Sequence, residues 1–374
     1  MSLRMSFMLL AILCFMNCSG DQDTQALPGD MASEPVAPTD AWFAFTSGAK
    51  CMDQSVNESL DLGLGDYRVS HDSYVQHYLS FMEKAKKHRR PISPKRLNSL
   101  LTEIQKERVP IFYRSITQAN LRQLIIHHLR IGFLLEQMDQ RELKVKITQE
   151  KVTDNYVERS LLFVDPYLGE FDGLLLFPKD GAPFPGVVAM HGHCSSAAGF
   201  RDDYYGGEFP KHGYAILLLN MGVMCGGEQE HSMTETMLLN GFTLLGLRVY
   251  ETLLGIKYLK CLPFVDGKRL GVIGHSGGAG ANNLTIRITP DIRACVTDFT
   301  AKYCEIEPGT GYLIDETVPD LYPYHQLIND FSTSPIPVLM ENYEYVSGIE
   351  KTLAFFALHL KMQPVITAPR TIFR

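Results

Sequence analysis

Long apolar runs are scarce in this chain. A membrane-spanning helix needs roughly 20 apolar residues, and the run from Met5 to Met16 (MSFMLLAILCFM) falls short of that. Positive charge is not in excess either: 35 Lys and Arg against 42 Asp and Glu give a net charge of −7. No strongly basic face can be built from that balance, so nucleic-acid binding is not expected. Eight cysteines in 374 residues are too few for a disulfide-stapled mini-fold. No CxxC pair and no Cys/His cluster with zinc spacing occurs, which argues against a structural metal. A GxxxxGK[ST] loop, an HExxH helix and a GxGxxG strand–helix turn are all missing, and the readings they would carry lose support. No internal repeat is visible. What is present is ordinary: 45% apolar residues, 21% charged, 30 glycines and 20 prolines. Collagen-like, low-complexity and disordered classes are excluded. At ~150 residues per domain the length suits one large domain or two small ones, with enzyme as the default class.

The amino terminus directs the chain outward. Arg4, the short apolar run and the small polar residues behind it fit a secretory signal over residues 1–18. A core helix would not open into the Pro/Asp/Gln-rich stretch that follows, read as a linker over 19–60. Cys18 before Ser19-Gly20-Asp21 resembles a bacterial lipoprotein cleavage site, although Asn17 stands where a small residue is expected. A lipidated Cys18 would tether the protein to a membrane and leave it otherwise soluble. The expected location is exported: periplasmic, membrane-anchored or secreted.

Residues 61–139 read as a helical extension. Helical spacing covers about 70–90, ending before Pro91, and about 94–137. The pattern then turns to alternation, with strands in KVKITQEKV, VERSLLFV and DGLLLFPK. From Pro183 onward apolar strands (GVVAM, AILLL, LGVIG, IRACVT, IPVLM) alternate with helices, one of them expected over about 236–261. Continuous apolar strands separated by helices imply a mostly parallel, doubly wound α/β sheet over 140–374.

The chemistry centres on Gly274-His275-Ser276-Gly277-Gly278, a G-x-S-x-G pattern. An apolar strand leads in and a small-residue helix start leads out. Such an elbow is strained and brings strand and helix close, so glycines flank the serine. Ser276 would stand over a helix amino terminus, whose field favours developing negative charge. His191-Gly192-His193-Cys194 ends an earlier strand. The turn there supplies one oxyanion donor, the N–H of His193, and Gly277 supplies the other. The two histidines lack a convincing third ligand, so no metal or other cofactor is expected.

PGVVAMHGH, GYAILLLNMGVMCGGE, LLGLRVYETLLGIKYL and VDGKRLGVIGHSGGAG occur in that order. On these segments the chain resembles the α/β-hydrolase superfamily, in particular bacterial exported esterases of the dienelactone hydrolase and acetyl xylan esterase type. The resemblance implies an α/β-hydrolase fold with an amino-terminal helical extension, and hydrolysis of a small-molecule or saccharide ester through a Ser–His–acid triad. The pattern departs where the acid and the base should be. The family's Asp is replaced by Glu341-Asn342-Tyr343-Glu344, with Glu344 the nearest substitute and Asp298, one strand earlier, an alternative. Only His325 and His359 follow Ser276. His359 is the base by elimination, although its surroundings read as an amphipathic helix. The opposing reading is a hydrolase-like binding protein that lacks a working base. The segment 305–334 is expected to shape a substrate pocket.

Overall fold

The structure, a computed structural model, describes residues 51–54, 69–112, 116–224, 228–304, 313–341 and 349–361. The leader, Cys18, most of the expected linker and Glu344 lie outside these residues. Within that linker, Cys51–Gln54 forms a strand, β1, which pairs in parallel with β2 (Leu143–Val152).

Among the described residues four α-helices lie between β1 and β2. α1 (His71–Lys84) starts at Ser70, whose hydroxyl accepts the Ser73 N–H. Tyr74, Tyr78 and Phe81 recur at helical spacing and are buried. α2 (Pro94–Gln105) is capped by Ser93 and carries proline in its first turn, where a missing N–H costs nothing. α3 (Gln118–Leu129) and α4 (Gly132–Gln140) follow. The helix expected over 94–137 is therefore three helices. Arg130, in a left-handed conformation at φ 62°, turns the chain between α3 and α4.

β3 (Val157–Asp165), β4 (Gly169–Phe177), β5 (Phe184–Met190), β6 (Ala215–Leu219), β7 (Val265–Gly274), β8 (Ile292–Thr297) and β9 (Val338–Met340) complete a nine-stranded sheet. Its order is β1-β2-β3-β4-β6-β5-β7-β8-β9. β2, β3, β4 and β6 run antiparallel in sequence, whereas β6, β5, β7, β8 and β9 are parallel. β5 and β6 are buried at every residue, as expected of parallel strands covered on both faces.

α5 (Ala197–Asp203) and α6 (Glu208–Lys211) join β5 to β6. The helix expected over 236–261 is two: α7 (Glu228–Leu239) and α8 (Leu244–Cys261). Thr243 divides them, its hydroxyl accepting the Gly246 N–H and so starting a new helix. α8 is buried from Leu244 to Leu259, between the sheet and the amino-terminal helices. α9 (Gly277–Ile288) leaves β7 through a sharp turn. A short α10 (His325–Ile328) and then α11 (Glu350–Phe356), continued by a π turn over Ala357–Lys361, are the last helices among the described residues. This is an α/β-hydrolase fold with Ser276 on the strand–helix turn. Among the described residues no helix is long and apolar enough to cross a membrane.

Candidate active site

The parallel strands end at one edge, and polar residues stand just beyond them: His191 after β5, Ser276 after β7, Asp298 after β8 and Glu341 after β9. The crevice outside the carboxyl ends of parallel strands is where such folds place ligands. Backbone strain collects on the same side. Cys194, Val223, Ser276 and Tyr303 have φ of 59°, 62°, 48° and 60°, one in each loop that follows β5, β6, β7 and β8. Each such residue costs on the order of 1–3 kcal/mol and persists where the surroundings over-determine it.

Ser276 holds φ 48° and ψ −119°. Its own N–H donates to Asp298 Oδ1 at 2.9 Å, while Asp298 Oδ2 lies 2.5 Å from His275 Nδ1. Asp298 therefore clamps both sides of the elbow. Tyr204 packs on the His275 ring at a tilt of 35°, 4.3 Å between centroids. The loop after β5 presses on the elbow. A Cβ on Gly192 would meet His275 Cδ2 at 2.7 Å and Ser276 Cβ at 2.8 Å, so only glycine fits.

His191 fixes that loop. Its Nε2 accepts the Met221 N–H at 2.9 Å, so the proton sits on Nδ1, which faces the Gly192 carbonyl at 2.8 Å. Burial disfavours its charged form and lowers the pKa to about 4. His191 is a neutral brace.

Among the described residues the N–H groups of Gly277 and His193 have no intramolecular acceptor. The His193 ring lies against Gly277, where a Cβ would stand 2.7 Å from His193 Cε1 and 2.9 Å from Glu316 Oε1. His193 Nε2 faces three carboxyl groups: Glu230 Oε1 at 3.2 Å, Asp315 Oδ1 at 3.2 Å and Glu316 Oε2 at 3.6 Å. Burial opposes the charged ring, but these carboxylates outweigh it and hold the His193 pKa well above the usual histidine range. Burial would raise the Asp315 carboxyl, yet the His193 bond and the charges of His193 and Arg248 push it below the ordinary range. Glu316 moves up, through burial and the charge of Asp315.

A second tier lies beneath. Arg248, 0% exposed, donates through Nε to Asp315 Oδ2 at 3.2 Å and through Nη1 to the Tyr78 hydroxyl at 2.9 Å. Tyr78 on α1 donates in turn to Glu251 Oε1 at 3.2 Å. The amino-terminal helices thus reach the site through one buried polar chain. Asp315 N–H also donates to Glu230 Oε1 at 3.1 Å.

The residues singled out from sequence are therefore only partly brought together. Ser276, Gly277 and His193 converge. Glu344 lies outside the described residues. His359 is not brought to Ser276. It packs on Phe355, 4.6 Å between ring centroids. Lys361, two residues on, reaches the His212 carbonyl and covers the Tyr214 ring, just before β6 begins. That is the opposite edge of the parallel strands. His325 Nδ1 donates to the Tyr322 carbonyl at 2.7 Å. Glu341, buried at the end of β9, accepts from Thr352 Oγ1 at 3.1 Å and pairs with Lys351 Nζ at 3.2 Å. Sequence reasoning missed Glu230, Arg248, Glu251, Asp315 and Glu316. One signal was available: Arg248 and Glu251 are opposite charges three apart inside the apolar helix LLGLRVYETLLG.

No family model matches this sequence, and no curated protein matches it. Solved structures do resemble it. A putative acetyl xylan esterase from Bacteroides fragilis NCTC 9343 is 14% identical, covering 74% of this chain and 84% of that one, with a TM-score of 0.49. Acetyl xylan esterase 1 from Thermoanaerobacterium sp. JW/SL YS485 is 15% identical over 58% and 76%, with a TM-score of 0.40. An S-formylglutathione hydrolase from Agrobacterium tumefaciens is 13% identical over 57% and 99%, with a TM-score of 0.42.

Proposed function

We propose that this protein is a serine hydrolase that cleaves a carboxylic ester of a small molecule or saccharide. The observation that carries the reading is Ser276 on its strained elbow, with the N–H groups of Gly277 and His193 beside it and unpaired among the described residues. Ser276 Oγ attacks the ester carbonyl while its hydroxyl proton passes through water to the departing alkoxide, the alcohol leaves an acyl-serine that a second water hydrolyses, and the two N–H groups receive the oxygen that becomes negative. The first turn of α9 adds its field to them. His193 keeps its proton on the carboxylate cluster, so its ring supplies a fixed positive charge rather than a base. Asp298 is a positioning residue, since it holds the Ser276 N–H and the neighbouring His275 ring.

One observation favours a second reading, a hydrolase fold kept for binding without turnover. Among the described residues the Ser276 hydroxyl has no hydrogen-bond partner, and His359 sits at the far edge of the sheet. A serine hydroxyl is a weak nucleophile without an adjacent base. Both readings meet one experiment: a short-chain aryl ester and a fluorophosphonate probe, applied to the wild type and to Ser276→Ala. Turnover and labelling that vanish in the variant support the hydrolase. Neither turnover nor labelling in the wild type overturns it in favour of the binding protein.

A further inference from the structure

We infer that His193, Glu230, Asp315 and Glu316 form a site for one divalent first-row cation of the zinc or manganese type. His193 Nε2, Glu230 Oε1 and Asp315 Oδ1 come from three separate segments, yet they point at one another. Nε2 lies 3.2 Å from each oxygen, and one ligand atom from each residue falls within 4.8 Å of the others. A tetrahedral cation with bonds of about 2.1 Å spaces its ligands by about 3.4 Å. The two separations from Nε2 thus already stand close to what such an ion imposes.

A second observation points to the same spot. Glu316 is 1% exposed, its Oε2 has no hydrogen-bond partner, and that oxygen lies 3.6 Å from His193 Nε2. A buried carboxyl oxygen without a hydrogen bond is costly unless something fills its coordination. A cation on Nε2 would supply the missing partner.

The donors are oriented from behind, as metal ligands usually are. Arg248 Nε holds Asp315 Oδ2 and leaves Oδ1 for the site. The Asp315 N–H holds Glu230 Oε1. The His193 ring lies against Gly277, where a Cβ would come within 2.7 Å of it. Charge favours occupancy too. Four buried carboxyl groups, Glu230, Glu251, Asp315 and Glu316, share one buried guanidinium and one imidazole. Loading displaces the proton from Nε2 and puts two positive charges in its place. One imidazole with carboxylates suits zinc or manganese, whereas calcium wants 6–8 oxygens and copper(I) wants sulfur. The inference is independent of whether Ser276 turns over an ester, because its readout is binding.

The test is calorimetric titration of the chelator-treated full-length protein with zinc chloride and, separately, manganese chloride at pH 7. One cation should bind one to one at micromolar Kd or tighter. Glu230→Gln and Glu316→Gln should each weaken it at least tenfold, and His212→Gln, an exposed histidine elsewhere, should leave it unchanged. If either glutamine variant fails to fold by circular dichroism, X-ray absorption on the zinc-loaded wild type decides. A nitrogen and oxygen shell with an imidazole signature supports the site. No binding, binding indifferent to both variants, or a shell of sulfur or of oxygen alone overturns it.

Discussion

Glu251 is a carboxyl group with no exposure to speak of, faced by Tyr78 from α1, Arg248 on its own helix, Asp315 from the loop before β9, and Asp165 at the end of β3. Burial raises its pKa from 4.5 to about 7, more than the Arg248 charge and the Tyr78 bond can lower it. A carboxyl group raised in the folded state adds stability that is fully present below about pH 4.5. That stability is lost as pH rises through about 7. Glu251→Gln should therefore match the wild type near pH 4.5 and exceed it by about 3 kcal/mol above pH 7, at 1.36 kcal/mol per unit. His191, held down at about 4, gives the opposite slope, since its contribution is lost as pH falls from 6.5 towards 4. Urea unfolding of both proteins across pH 4–8 isolates Glu251 as the difference. A flat difference would sink the prediction.

Among the elements, α8 holds the site up. Its apolar residues face the sheet on one side and the amino-terminal helices on the other, so the helix has no solvent face to carry charge. Arg248 is admitted only because Asp315, Glu251 and Tyr78 surround it. Removing one partner of such a cluster leaves buried charge uncompensated, at a cost of about 3–5 kcal/mol. Arg248→Met should lose that much in urea unfolding at pH 7, and Arg248→Lys should recover part of it. A methionine variant as stable as the wild type would show that the cluster is not maintained by charge. The composition of α8 announces burial, but which charges it meets depends on α1 and on the loop after β8, far away in sequence. Elements were legible for the same reason throughout. Strand and helix periods are local, so β3 to β8 and α9 follow the apolar pattern closely. Breaks were not legible where they hinge on a cap or a single left-handed residue, as at Thr243 and Arg130.

At the scale of the unit that holds the sheet, the amino-terminal helices pack directly on it. Tyr74 on α1 donates to Asp172 of β4 at 3.0 Å, and its ring lies over the loop after β6. A Cβ on Gly222 would fall 2.0 Å from the Tyr74 ring. Gly222→Ala must push α1 off the sheet or distort the loop, and overpacking of this kind costs about 1–3 kcal/mol. Calorimetry should show a lowered Tm, and hydrogen exchange should show faster exchange in α1 but not in α9. An unchanged Tm with unchanged exchange would mean that the contact yields easily.

Sequence alone determined the parallel sheet and the strand–helix turn at Ser276, and it pointed to Gly277 and His193 beside that turn. Each depends on short-range pattern: apolar runs, glycines beside a serine, and a turn at a strand end. It could name candidate partners for the serine only by elimination, and in that way it reached His359. Tertiary structure decided the rest. It set His359 at the far edge of the sheet, tied Asp298 to the elbow, and gathered Glu230, Arg248, Asp315 and Glu316 around His193. The physical reason is reach. A buried charge is stable only beside its partner, and those partners come from segments tens of residues apart that only the closed fold brings together.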